Sequence, residues 1–129
     1  MESYLRVIVL FFLFFCFGCS PAVTTTALNP YPPKGKDHPI RIYTNRLPVC
    51  SYIEVGIVKS RQRNKLISMD RVAESLREAA REMGGDAIIG VRMGDETMGA
   101  MVSGGGVFID TDPVLQGTVI RWKTKKCTR

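Results

Sequence analysis

The sequence predicts an α+β domain in which one sheet is packed by one helix. Three observations support this: an amphipathic pattern over 68–83, a two-glycine stop at Gly84 and Gly85, and short strand-like segments on both sides. The predicted order is β-β-α-β-β, with strands at 40–43, 53–58, 87–91 and 117–123. A chain of 129 residues is long enough for one such domain.

The helix is predicted from apolar residues spaced three and four apart, which share one face. They are Val72, Ala73, Leu76, Ala79, Ala80 and Met83. Ser68 is a suitable N-cap, and Asp70 lies favourably in the first turn. Gly84 suits the left-handed conformation that ends many helices. The charged residues of the other face are interpreted as solvated side chains, not as catalytic groups.

The strands are predicted from two different patterns. Ile53, Val55 and Ile57 alternate with other residues and share one face. The segment 87–91 is apolar on consecutive residues, so both of its faces should be covered. The glycine-rich stretch 94–116 is expected to be a long hairpin loop, with part of 101–109 adding an edge strand. Trp122 is expected in the core or at a sheet edge.

Residues 1–18 have the features of a cleaved signal peptide. Val7 to Phe17 is an 11-residue apolar run, shorter than the ~20 residues of a membrane-spanning helix. The Gly18-Cys19 pair that follows resembles the lipobox of bacterial lipoproteins and implies lipidation of Cys19. An ordinary signal peptide or an uncleaved anchor is the alternative. Ser20 implies, by the usual enterobacterial sorting rule, an outer-membrane protein facing the periplasm.

Residues 19–39 are predicted to be the lipidated cysteine and a tether, and residues 40–129 the folded domain. The tether contains five prolines and no apolar periodicity. At ~3.1 Å per residue it would reach ~60 Å at most. His38, the only histidine of the chain, is interpreted as a loop residue.

Two cysteines, Cys50 and Cys127, remain after cleavage and lipidation. An even pair in an exported protein is typical of a disulfide. Two free thiols, or half of a soft metal site, are the alternatives.

The net charge of +6 favours an anionic partner. Export argues against nucleic acid, so an envelope protein or an anionic envelope component, such as phospholipid headgroups or lipopolysaccharide phosphates, is expected. Lys59, Arg61, Arg63 and Lys65 alternate with polar residues and form a candidate anion patch. The alternative is an ordinary solvated connection.

The residue patterns favour a non-catalytic binding module over an enzyme, and no cofactor is predicted. The sequence contains no Ser/His/Asp set, and the glycine run 104–106 lacks the Lys-Ser/Thr of a phosphate loop. Asp95, Glu96, Asp110 and Asp112 do not have the spacing of a calcium loop. A metal- or small-anion-binding oligomeric domain is the alternative function.

The run AAREMGGDAIIGVRMGDETMGAMVSGG and the later GTVIRW resemble the YbjQ-like domain family. The shared features are Gly85-Asp86-Ala87, Ile88 to Val91, Met98 to Gly104 and Gly117-Thr118-Val119. The resemblance covers about 53–122 and implies an α+β fold and a homo-oligomer, as in ring-forming relatives. The family's heavy-metal-binding label is not carried over, because one histidine and two cysteines that are expected to be bridged cannot build a tetrahedral N/S site from one chain. A metal site would need carboxylates or several subunits.

The lipobox, tether and cysteine pair resemble the architecture of RcsF-type outer-membrane lipoproteins. That likeness rests on arrangement and on no signature residue, so it carries no signalling role.

Overall fold

The computed structural model describes residues 20–103 and 106–128. The predicted signal peptide, Cys19 and part of the glycine run lie outside these residues. The elements are β1 (Ala22–Ala27), β2 (Arg41–Tyr43), β3 (Tyr52–Arg61), α1 (Met69–Glu82), β4 (Ala87–Ser103), β5 (Gly106–Trp122) and a 3-10 helix (Lys125–Thr128).

The described strands form one mixed sheet in the order β1-β3-β5-β4-β2. Three neighbouring pairs are antiparallel, and β2 runs parallel to β4. The helix α1 packs on one face of this sheet, and its apolar side chains meet those of β3, β4 and β5. The structure is therefore a small α+β domain with one sheet and one α-helix over the described ranges.

The sheet contains one strand more than the predicted order, and this strand corrects the expectation of a free tether. β1 lies inside residues 20–39 and pairs antiparallel with β3, from Ala22 opposite Arg61 to Ala27 opposite Gly56. The strand forms the edge of the sheet and its side chains are mostly exposed. It therefore lacks the apolar alternation by which a strand is recognised in a sequence.

The helix forms where the periodicity predicts it. Ser68 is the N-cap, and its hydroxyl accepts a hydrogen bond from the Arg71 N–H at 3.4 Å. Gly84 follows the helix with a φ of +77°. Leu76 is fully buried and belongs to the main core cluster, which also includes Val55, Val58, Ala80, Ile88 and Val119.

The opposite face of the sheet is covered at one end only. Ala87, Ile89 and Ile120 are buried there beneath three aromatic side chains, those of Tyr43, Tyr52 and Trp122. The rings of Tyr43 and Trp122 meet edge to face with centroids 6.5 Å apart. The expectation that the segment beginning at Ala87 is covered on both faces is confirmed for Ala87, Ile88 and Ile89.

The expected loop over 94–116 is wrong, because residues 94–103 and 106–116 belong to two long strands. The strand expected within 101–109 is confirmed for the described residues, as part of these two. β4 and β5 pair from Ala87 opposite Ile120 to Ser103 opposite Gly106. The pairing of β3 with β5 ends at Arg61 opposite Val114. Beyond that point β4 and β5 continue as a two-stranded extension, residues 94–103 and 106–113, which we call the ribbon.

Candidate functional site

The structure joins Cys50 and Cys127 in a disulfide with a Cα–Cα distance of 6.2 Å. Cys50 precedes β3, and Cys127 lies in the 3-10 helix after β5. The bond therefore ties the end of the chain to the start of a central strand. The two sulfur atoms are therefore neither free thiols nor ligands of a metal site in this structure.

The predicted anion patch is split by the fold. Lys59 and Arg61 are on one face of β3, where each meets a carboxylate. Lys59 Nζ is 2.9 Å from Glu96, and Arg61 is 3.8 Å from Glu96 and 3.7 Å from Asp112. The hydrogen bond from Lys59 lowers the pKa of Glu96 below its ordinary value. Half of the predicted patch is thus counterbalanced by acidic groups of the ribbon.

The other half of the patch follows β3 in the loop that leads to α1, where Arg63 and Lys65 are both exposed. Arg63 lines a hollow of about 460 Å³ together with Lys59, Arg61 and residues 20–24. The loop is held beside the ribbon because the Gln62 N–H donates to the Pro113 carbonyl at 2.9 Å. The structure therefore gathers three of the four predicted cations around the start of β1, with Lys65 exposed in the turn that follows.

A wider cleft of about 540 Å³ crosses the open face of the sheet beside these ion pairs. Ile57, Met93 and Val114 supply its apolar part. Lys59, Glu96, Arg92 and Gln116 supply its polar part. The lining combines charged pairs with a small apolar floor and resembles a surface for polar contacts more than a closed substrate pocket.

Sequence reasoning missed a cluster centred on Asp86, whose side chain is only 4% exposed. Oδ1 lies 2.9 Å from Lys34 Nζ and 2.8 Å from His38 Nε2, and Oδ2 accepts the Trp122 N–H at 2.9 Å. Burial raises the pKa of Asp86, but the hydrogen bonds from these three partners outweigh it, so the pKa lies below its ordinary value. The carboxyl is therefore held ionised at neutral pH.

The Asp86 cluster forms because residues 31–38 cross the end of α1. A side-chain carbon at Gly84 would lie 2.5 Å from the Pro32 carbonyl oxygen, so only glycine fits beneath this crossing. The segment is held by a hydrogen bond from the Lys34 N–H to the Arg81 carbonyl and one from Arg81 Nε to the His38 carbonyl. His38 is therefore a loop residue, as predicted, and its loop is held on the folded domain.

A third concave surface, of about 410 Å³, lies beside Asp86 and is lined by several cations. Arg121 stacks over the Tyr31 ring at 4.9 Å and donates to the Gly84 carbonyl at 3.3 Å. Lys34 faces Asp86, and Lys123 is exposed at the rim with Lys125 nearby. No single sequence pattern indicates this surface, because its cations come from three places: the predicted tether, β5 and the residues that follow β5.

Within 20–103 and 106–128, no three His, Cys, Asp or Glu side chains gather in a way that could hold a metal ion. No helix in this part of the chain is long and apolar enough to cross a membrane.

Fold and surfaces together define a small, disulfide-linked α+β domain with three open, charged hollows. Comparison with known proteins finds no matching family, no matching curated protein and no matching solved structure. The resemblance to YbjQ-like domains therefore stays a prediction from the residues quoted above.

Proposed function

We propose that the protein is a bacterial envelope lipoprotein, anchored through Cys19, whose domain is a non-catalytic binding or interaction module. The signal-peptide pattern over 1–18 and the Gly18-Cys19 pair support the anchor. The observation that carries the proposal is the Cys50–Cys127 disulfide, because such bonds persist in oxidising compartments and are rare in the cytosol.

The arrangement of charged groups supports binding over catalysis. Both Asp86 oxygens are engaged in contacts that hold residues 31–38 on the sheet. Glu96 and Asp112 likewise lie against Lys59 and Arg61. General acid–base chemistry needs a carboxyl whose pKa lies near the working pH. The pKa values of Asp86 and Glu96 are lowered instead, so both carboxyls are held in the ionised form.

The anchor is tested by labelling cells with radioactive palmitate and separating their membranes. Cys19→Ala should lose both the label and membrane association. Cys16→Ala is the matched control, because it removes a neighbouring cysteine and should keep both. A wild-type protein without label, or a label that depends on Cys16, would contradict the proposal.

The choice of membrane is tested by separating inner from outer membranes on a density gradient in an enterobacterial host. Ser20→Asp should move the protein to the inner membrane, and Ser20→Asn should leave it in the outer membrane. An unchanged distribution of the Asp variant would remove the support for an outer-membrane location.

A second candidate function is binding of a small anion, favoured by the cations around the cleft beside Asp86. Inorganic phosphate should shift the NMR amide signals of 121–125 in a saturable way. Lys123→Gln should weaken this response, and Lys65→Gln, a change at the other end of the sheet, should not. Shifts that are unaffected by Lys123→Gln would exclude this cleft.

A further inference from the structure

The lipid anchor and the folded sheet are separated by very little chain. Only Ser20 and Pro21 lie between Cys19 and the first residue of β1. Three residue steps of at most ~3.6 Å each span ~10 Å. If Cys19 carries a lipid, the end of the sheet at Ala22 is held within ~10 Å of it, not at the far end of a long tether.

The ribbon leaves the sheet at this same end. Ala22 pairs with Arg61, Arg61 pairs with Val114, and Val114 pairs with Gly94, so one row across the sheet joins the start of β1 to the base of the ribbon. From Gly94 to Ser103 the ribbon runs nine further steps at ~3.3 Å, or ~30 Å. The tip of the ribbon is therefore about three times as far from that row as Cys19 can be.

The outer part of the ribbon is suited to a lipid surface. Its sequence there, MGAMVS over 98–103 and GVFI over 106–109, contains no charged residue. Ile109, which is opposite Ala100, is 63% exposed. Glu96 and Asp112 lie near the base against Lys59 and Arg61, and Asp95 is opposite Pro113. Asp110, opposite Gly99, is about halfway along the ribbon, at the border of the uncharged part.

The unpaired backbone groups of the ribbon limit how deeply the ribbon can enter a bilayer. In the described chain, the pairing of β2 with β4 ends at Tyr43 opposite Ile89, and that of β3 with β5 ends at Arg61 opposite Val114. At the base, the Pro113 carbonyl accepts the Gln62 N–H. Farther along the ribbon, the outward N–H and C=O groups need partners from solvent. Hydrocarbon cannot supply such partners, whereas hydrated headgroups can.

We propose that the ribbon, residues 94–103 and 106–113, lies in the headgroup region of the bilayer that holds Cys19, with Arg63 facing the phosphates beside it. This inference rests on the proposed lipid anchor. It adds a second, protein-mediated contact, so that the domain has a fixed orientation on the membrane.

The test uses the mature lipidated protein in vesicles of phosphatidylethanolamine and phosphatidylglycerol. Ala100→Cys places a single free thiol on the exposed ribbon, and an environment-sensitive dye is attached to it. Glu78→Cys, on the exposed side of α1, is the matched control. Nitroxide groups are placed either on the lipid headgroups or near the ends of the acyl chains.

The dye at residue 100 should shift its emission to the blue and be quenched by the headgroup nitroxide, while the dye at residue 78 should show neither effect. Ile109→Glu should abolish quenching at residue 100. Val49→Glu, at an even more exposed apolar position near the other end of the sheet, should leave it intact. Equal quenching at residues 78 and 100, or stronger quenching from the acyl ends, would overturn the proposal.

Vesicle flotation and palmitate labelling separate the two proposals. A protein without lipid on Cys19 overturns the anchor and the ribbon contact together. A lipidated protein that floats with the vesicles, but whose ribbon dye is quenched no more than the control, overturns the ribbon contact alone. A dye signal that depends on protein concentration and not on lipid would mean that the ribbon contacts other copies of the protein. That result would also overturn the proposed contact between the ribbon and the membrane.

Discussion

Asp86→Asn is the most informative perturbation of the fold, because one buried carboxylate holds three separate parts of the chain. Its oxygens contact Lys34, His38 and the Trp122 N–H at 2.8–2.9 Å. Asparagine has the same shape but carries no charge. Its amide nitrogen must also face one of these partners. Lys34 and the Trp122 N–H are donors only, so just the neutral imidazole of His38 could accept from it.

The expected cost follows from burial. Breaking a fully buried ion pair by removing one partner costs ~3–5 kcal/mol, and a hydrogen bond to a charged group contributes ~1.5–3 kcal/mol. The side chains of Lys34 and His38 are 23% and 21% exposed, so water can reach them once the charge is gone. We therefore expect a loss of ~2–3 kcal/mol, which corresponds to a fall in Tm of about 10 °C for a domain of this size.

Urea denaturation of the mature chain with Cys19→Ser should measure this loss. Asp37→Asn is the matched control, because it makes the same chemical change at an exposed carboxylate on the same segment and should stay within ~0.5 kcal/mol. A cost for Asp86→Asn below that limit would refute the view that this cluster fixes residues 31–38 on the sheet.

The acid dependence gives a second check on Asp86. Because its folded pKa lies below the ordinary value of 3.8, its contribution to stability is present above that value and disappears as the pH falls through the folded pKa. The stability difference between wild type and Asp86→Asn should therefore shrink below about pH 4. Glu74 and Glu96 also have lowered pKa values, but they are present in both proteins and cancel in the difference. A difference that stays constant down to pH 2 would contradict the assignment.

Three further changes test the fold. Leu76→Ala removes a fully buried side chain and should cost ~2–5 kcal/mol in urea denaturation, whereas Leu66→Ala, at an exposed position, should cost little. Deleting 22–27 should lower the Tm strongly because it removes β1 from β3, and an unchanged Tm would restore the idea of a free tether. Reducing the Cys50–Cys127 bond, which closes a loop of 77 residues, should cost ~4 kcal/mol, and protein taken from the envelope should offer no alkylatable thiol.

The helix α1 and the first residues of strand β4 could be predicted because their sequence signals are local. The spacing of Val72, Leu76 and Ala80 fixes a helix face, and Gly84 marks its end. These residues form the helix side of the core, and the periodicity within one short stretch of sequence is enough to identify them.

The strand β1 and the ribbon could not be predicted, because their pairing is decided by distant partners. β1 is a threonine-rich edge strand that depends on β3, some 30 residues away. In the ribbon, glycines such as Gly94 and Gly99 lower the intrinsic strand preference, and the ladder between β4 and β5 overrides it.

The candidate surfaces were only half visible in the sequence for a similar reason. The alternation of Lys59, Arg61 and Arg63 was readable, but Glu96 and Asp112, which counterbalance two of these cations, lie on other strands. The Asp86 cluster brings together residues 48 positions apart. A buried charge pair of this kind leaves no periodic pattern that a sequence would reveal.

The position of β1 also determines how the domain carries mechanical load. Tension applied to the chain before Ala22 enters the fold through an edge strand, not through the core. A pull along the strand loads the whole β1–β3 ladder at once, from Ala22 to Ala27, whereas a pull across it opens the ladder one pair at a time. Because forced unfolding is governed by the rate of the first rupture, the direction of the pull sets the force at which the domain begins to open.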